Sequence, residues 1–256
     1  MISIIIVSWN VKDLLRKCLG SINQFAGEVS FEVVVVDNSS NDGSVEMIQK
    51  EFPNVKLVAN IHNVGFAKAN NQGVEIAIGE YLLFLNPDTE LHSETLSKSL
   101  EAIKNNPKIG ILGCQLHNAD GTIQPSVRRF PTVETILALA LKLGKVFPDL
   151  QVLKKYLVAD FDYSKSQVVD QVMGAFMLLR PNVIAKPIFD ERYFIWFEEV
   201  DLCRRVKAAG YDVYYFADAA ITHHGGQSFA QQPVISKQWL FFKSAAQYLW
   251  KWKFRT

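Results

Sequence analysis

The sequence predicts an α/β fold built on an open, mostly parallel sheet, and three observations carry that expectation. Short β-branched runs alternate with amphipathic segments over residues 2–116. The runs have no polar face, as in strands covered by helices on both sides. Polar residues collect where the runs stop: Ser8 and Asn10, Asp37 and Asn38, Asn86 and Asp88.

The elements follow in order. ISIIIV (2–7) is a strand, 11–25 a helix, FEVVVVD (31–37) a strand, 43–51 a helix and VKLVA (55–59) a strand. A second round gives a helix near 67–78, the strand EYLLFL (80–85), a helix near 93–105 and the strand IGILGCQL (109–116). VETILALALKLGKVFP (133–148) reads as one packing helix, preferred to a helix resting on a membrane. VVDQVMGAFMLLR (168–180) reads as one or two strands broken at Gly174, where the missing side chain would let a ligand approach. A helix starts at EEVDLCRRVKAAG, a strand lies within 211–228, and 236–256 is a helix with Trp239, Phe242, Ala246, Leu249 and Trp252 at helical spacing.

With 256 residues, 49% of them hydrophobic and 21% charged, the chain can bury a full core. Lys and Arg total 27 against 26 acids, so the balance gives no sign of nucleic acid, and none is expected as a partner. Cys18, Cys114 and Cys203 lie far apart with no CxxC spacing, which suggests neither a disulfide framework nor a thiolate zinc site and fits a reducing compartment. Met1 leads straight into a short apolar run without a basic lead or cleavage site, so a cytoplasmic location is expected.

In open α/β sheets ligands bind beyond the carboxyl ends of the strands, which is where the polar clusters fall. No GxGxxG follows a strand and no GxxxxGK[ST] occurs, so a pyrophosphate would need a cation or basic side chains. Asn86-Pro87-Asp88 is a good turn, because proline presets φ and the acid bonds its own backbone, yet Asp88 is also a candidate cation ligand. Glu198, Glu199 and Asp201 suit a helix dipole, and Asp201 is at the spacing to pair with Arg204 or Arg205. Glu198 and Glu199 are flanked by Tyr193, Phe194, Trp196 and Phe197, a wall that would split their pKa values and suit one to general-base work. His223 and His224 end a strand before glycines, where one imidazole beside a carboxylate could bind Mn²⁺ or Mg²⁺ in preference to Zn²⁺.

Taken together, IIIVSWN, VVVVDNSSNDGS, NVGFAKANNQG, GEYLLFLNPDTEL, MGAFMLLR, FDERYFIWFEEVDLCRRVKAAGY and ITHHGG recur in family order over residues 2–228. The sequence resembles the inverting family 2 glycosyltransferases of the GT-A fold, in the bacterial rhamnosyltransferase-like branch that builds cell-surface polysaccharides. The resemblance implies a glycosyltransferase domain over 1–230, with a nucleotide-sugar half (1–116) and an acceptor half (117–230), followed by a basic, aromatic helix (231–256).

It also implies residue roles. Val7, Ser8, Trp9 and Asn10 would line the base and ribose pocket, with Asp37 bonding the nucleoside. Asn41 and the loop 63–70, with Gly65, Lys68 and Asn70, would lie near the diphosphate and sugar. Asn86-Pro87-Asp88 stands where the family has an Asp-x-Asp element, so Asp88 keeps the metal-binding acid while Asn86 replaces the first. Glu199 falls at the general-base position, usually Asp, with Glu198 in support; His223 aligns better than His224 with the metal ligand. The expected donor is a nucleoside diphosphate sugar, dTDP favoured over UDP, and the acceptor a glycan or lipid-linked saccharide. The tail has five bases and no acid, so peripheral contact with the inner face of the cell membrane is expected. The rival readings are a sugar nucleotidyltransferase and a non-catalytic sugar-nucleotide-binding domain.

Overall fold

The computed structural model describes residues 1–225 and 234–253. Its centre is a nine-stranded sheet in the order β3-β2-β1-β4-β10-β6-β11-β5, with β8 also paired to β11. The strands are β1 (Ile2–Ser8), β2 (Phe31–Asp37), β3 (Lys56–Ala59), β4 (Tyr81–Leu85), β5 (Thr89–Leu91), β6 (Ile109–His117), β8 (Gln167–Val169), β10 (Phe176–Leu179) and β11 (Asp212–His223). β7 (Val127–Arg128) and β9 (Gln171–Val172) pair separately. The run β3-β2-β1-β4 is parallel, β10 lies antiparallel between β4 and β6, and β11 is parallel to β6. Ser8, Asp37 and Leu85 therefore end on one edge of the sheet, and the mostly parallel α/β expectation is met.

Because side chains alternate across a strand, each apolar run feeds two cores. Ile2, Ile4 and Ile6 pack with helices α1 (Lys12–Phe25), α2 (Ser44–Glu51) and α4 (Thr95–Asn105) through Leu15, Leu19, Met47, Leu96 and Ile103. Ile5, Val34 and Val36 pack on the other face with α3 (Phe66–Ile76) and α7 (Glu198–Ala208) through Ala67, Val74, Leu202 and Val206. This double cover explains why the strands carry no polar face.

Two expectations need correction: residues 168–180 carry three short strands, β8, β9 and β10, where one or two were expected, and the helix expected over 133–148 is broken. Residues 133–148 are not one helix: α5 (Val133–Ala140) ends, Lys142 turns left-handed at φ 53°, and a 3-10 turn at Leu143–Lys145 leads towards α6 (Gln151–Leu157). The break lets the chain fold back on itself. A Cβ on Gly144 would lie 2.9 Å from Leu153, a buried side chain of α6. The C-terminal helix α8 (Val234–Lys253) does form, but its packing face is Ser244, Ala245, Tyr248 and Lys251. Trp239 (69% exposed), Phe242 and Ala246 point outwards, and Trp250 joins them, while Leu249 and Trp252 are half-buried. Residues 226–228 and 254–256 of the expected strand and tail, and the expected boundary at 230, lie outside the described residues.

Candidate active site

The edge where β1, β2 and β4 end borders a cavity of about 400 Å³. Its lining includes Val7, Trp9, Asn38, Gly65, Asn86, Pro87 and Asp88 from the ends of these strands and the loops after them, and Gly174, Phe194, Trp196, Glu198 and Glu199 from later in the chain.

The nucleotide-side loops are knitted together by short polar side chains. Asn10 accepts from the backbone N–H of Asn41 at 2.8 Å, and the N–H of Asn10 donates to Ser40 Oγ at 2.9 Å. Asp37 Oδ1 accepts from the Ser40 N–H at 2.8 Å. Its Oδ2, like Ser8 Oγ and Asn70 Oδ1, is buried without a hydrogen-bond partner among the described residues. An unsatisfied buried acceptor is costly, so Asp37 Oδ2 is a place where a ligand donor would be stabilised. Asn41 and Lys68 are exposed, and with Ser8, Asn10, Asp37 and Asn70 they stand outside the residues that line the cavity.

Asn86-Pro87-Asp88 is both a turn and a wall. Thr89 Oγ1 donates to the Asn86 carbonyl at 2.7 Å, and the Asn86 N–H donates to Ala175 O at 3.1 Å. Beyond the turn β5 pairs antiparallel with the end of β11, His223 opposite Thr89. That pairing carries His223 Nε2 to 3.4 Å from Asp88 Oδ1. His223 Nδ1 lies 2.7 Å from Gln124 Oε1, which can only accept, so Nδ1 carries a proton and Nε2 is the nitrogen turned towards Asp88. That Nε2 is buried and otherwise unpartnered among the described residues. His224 turns elsewhere, with Nε2 2.7 Å from Glu90 Oε1.

The donor set fits a small divalent cation. Two ligands at about 2.1 Å from one ion and at right angles are roughly 3 Å apart, close to the spacing of Asp88 and His223. No group of three or more His, Cys, Asp or Glu able to hold a metal occurs among the described residues. Further ligands would have to come from water or from the substrate's own phosphates.

The same cavity is lined by the two glutamates that open α7. Trp196 (φ 64°) and Phe197 (φ 69°) are both left-handed, a costly conformation for aromatic residues, and they turn the chain so that Glu198 and Glu199 meet the cavity. Glu198 is 4% exposed. Burial, and then the charge of Glu199, push its carboxyl well above the ordinary range; burial also raises Glu199. Two adjacent carboxylates so placed do not both ionise readily, and the upward push is the stronger on Glu198, which feels both burial and the charge of Glu199. One oxygen of each is without a partner among the described residues. Gly174 lies beneath them, 3.7 Å from Glu199 Cβ when a Cβ is built on it.

The helix-dipole reading of Asp201 is right as far as Arg205, whose Nε donates to Oδ2 at 2.9 Å. Arg204 instead covers the rings of Phe130, Tyr248 and Trp252. Sequence reasoning missed Gln124, which reaches His223 across the chain. It also missed Tyr156 of α6, whose hydroxyl is pushed up to about 12 by burial, with Arg128 opposing and Glu199 adding to the shift.

Comparison with known proteins gives a consistent answer. The chain is 27% identical over 245 residues to the N-acetylglucosaminyl-diphospho-decaprenol L-rhamnosyltransferase of Mycobacterium tuberculosis, covering 91% of this chain and 79% of that one. It is 27% identical over 242 residues to rhamnosyltransferase WbbL of Escherichia coli K12, covering 90% and 86%. The crystal structure of GalNAc-T7 with UDP, GalNAc and Mn²⁺ has the same fold at a TM-score of 0.62 and 15% identity, over 87% of this chain and 43% of that one. The profile described as Glycosyl transferase family 2 matches residues 3–178, more than two thirds of the sequence. The chain belongs to glycosyl transferase family 2.

Proposed function

We propose that this glycosyltransferase moves a sugar, with rhamnose favoured, from a nucleoside diphosphate to a hydroxyl of a lipid-linked saccharide, with inversion and with a divalent cation bound. The observation that carries the reading is the cavity, whose lining includes Asp88 together with Glu198 and Glu199, each with one buried oxygen unpartnered among the described residues. Rhamnose and a lipid-linked acceptor are supported by the names of the two relatives, and a nucleoside diphosphate and Mn²⁺ by the GalNAc-T7 complex. The branch favours dTDP over UDP.

In this reading Val7, Ser8, Trp9, Asn10 and Asp37 take the nucleoside. Asn41, Gly65, Lys68 and Asn70 serve the diphosphate and sugar, and Asn86, Pro87 and Asp88 lie under the phosphates. Asp88 and His223 would hold Mn²⁺ or Mg²⁺, with His224 at the neighbouring position. A bound cation supplies electrostatic stabilisation of the charge on the departing diphosphate. Glu199 takes the proton of the acceptor hydroxyl as its oxygen bonds the anomeric carbon and the bond to the diphosphate oxygen breaks. Glu198 hydrogen-bonds the acceptor or Glu199. One displacement gives inversion.

No helix among the described residues is long and apolar enough to cross a membrane. The outward stripe of α8, Trp239, Phe242 and Trp250 with Lys243, supports peripheral contact with an anionic bilayer at its cytoplasmic face.

The test is transfer from dTDP-rhamnose, with UDP-sugars alongside, to a lipid-linked N-acetylglucosamine, with the product's anomeric configuration read by NMR. Inversion is expected. Retention would refute the single displacement, and pyrophosphate release from a nucleoside triphosphate would favour a nucleotidyltransferase.

A further inference from the structure

The glutamates stand on a turn that local sequence does not favour, so something must keep it in place. The chain from Asp190 to Asp201 contains the left-handed pair Trp196-Phe197 and both carboxylates. Its middle is tied by hydrogen bonds: the Phe66 N–H donates to Phe194 O at 2.7 Å, and Ser244 Oγ of α8 donates to Ile195 O at 2.8 Å. The acids at its two ends share a side chain. Lys251 of α8, 8% exposed, donates from Nζ to Asp190 Oδ2 at 2.8 Å and to Asp201 Oδ2 at 2.8 Å.

Each acid has other partners as well. Asp190 takes Arg192, and Asp201 takes Arg205 and the indole N–H of Trp252 at 2.8 Å. Neutralising the acids therefore does not require Lys251. Arg205 also spans the two ends, from Asp201 to the Ile188 carbonyl, but Lys251 is the side chain that joins the two carboxylates to each other among the described residues.

We infer that Lys251 is a positioning residue for the catalytic glutamates: it staples Asp190 to Asp201 and so fixes the Trp196-Phe197 turn that aims Glu198 and Glu199 into the cavity. A buried ion pair is weak support for stability, because desolvation offsets much of the attraction. It is well suited to selecting one geometry over its neighbours. Misplacing a reacting group by about 1 Å can cost on the order of a hundredfold in rate, so a loosened staple should act on turnover and leave nucleotide binding alone. The C-terminal helix is then part of the catalytic apparatus, whatever its outer face touches.

The inference rests on the glycosyltransferase reading above for its kinetic consequence, though not for its structural one. The experiment compares full-length wild type, K251M, K251R and D190N by amide hydrogen exchange and by steady-state transfer. K251M should speed exchange at least tenfold over residues 195–199 and lower kcat at least tenfold, with donor KM within twofold of wild type. K251R, which can still bridge, should recover most of both. D190N removes the charge at one end of the staple, leaving at most a neutral hydrogen bond there, and keeps the Asp201 partners in place, so it should reproduce part of the loss even if K251M does not fold. Unchanged exchange over 195–199 in D190N, or a kcat loss in K251M matched by a rise in donor KM, would overturn the inference. Absence of transfer in wild type would instead refute the function, and the exchange data would still decide the staple.

Discussion

His223 Nε2 lies 3.4 Å from Asp88 Oδ1, brought there by the antiparallel pairing of β5 with the end of β11 and oriented by Gln124 on its other nitrogen. Outer partners of this kind fix the tautomer of a ligating histidine. Gln124→Ala should therefore raise the Mn²⁺ concentration needed for half-maximal transfer by about 10- to 100-fold, with donor KM at saturating Mn²⁺ little changed. A metal titration of activity checks it.

Glu199→Gln should lower kcat by about 10²- to 10⁴-fold, the usual worth of a general base. Donor binding should persist. Steady-state kinetics with thermal-shift titration of the nucleotide separates the two effects.

Because burial raises both carboxyls, the acid limb of the kcat profile should lie above the ordinary glutamate range. The same shift has a stability consequence. A carboxyl whose folded pKa is raised contributes most below its unfolded value, and that contribution is lost as pH rises through the folded value. Glu198→Gln should therefore raise Tm near pH 8, with the gain shrinking towards pH 4. Melting curves across that range would show it; a gain larger at pH 4 would contradict the assignment.

Gly65 has φ +89°, and a Cβ there would sit 2.7 Å from Phe194 Cδ2 and from its carbonyl oxygen. Gly65→Ala should cost about 1–3 kcal/mol and displace the Phe194 turn, lowering activity as well. Urea unfolding read beside kcat tests both.

The outward stripe of α8 can be tested without cutting away its buried face. Replacing Trp239, Phe242 and Trp250 together by Ala should weaken binding to anionic vesicles while leaving Tm within a few degrees. Equal vesicle binding by the variant and wild type would remove the proposed contact.

Much of this site was legible in the chain. Parallel strands ending in Ser8, Asp37 and Asn86-Pro87-Asp88 forecast the sheet edge, and acids among aromatics forecast the pair of buried Glu198 and half-buried Glu199. β5 escaped notice because three residues, Thr89–Leu91, carry no periodicity. Gln124, Lys251 and the approach of Gly65 to Phe194 escaped because each acts across a long loop of chain, and spacing reports only near neighbours. The helix expected over 133–148 stops at Ala140 and the chain turns left-handed at Lys142, a break that an apolar run does not announce.

The most direct test of the central claim is a thermal-shift panel of nucleoside diphosphate sugars, with and without Mn²⁺ or Mg²⁺, on wild type and Asp88→Ala. The account predicts stabilisation of wild type by a nucleotide sugar, increased by the cation, and loss of the cation's increment in Asp88→Ala. Stabilisation that survives Asp88→Ala unchanged, or none across the whole panel, would contradict it.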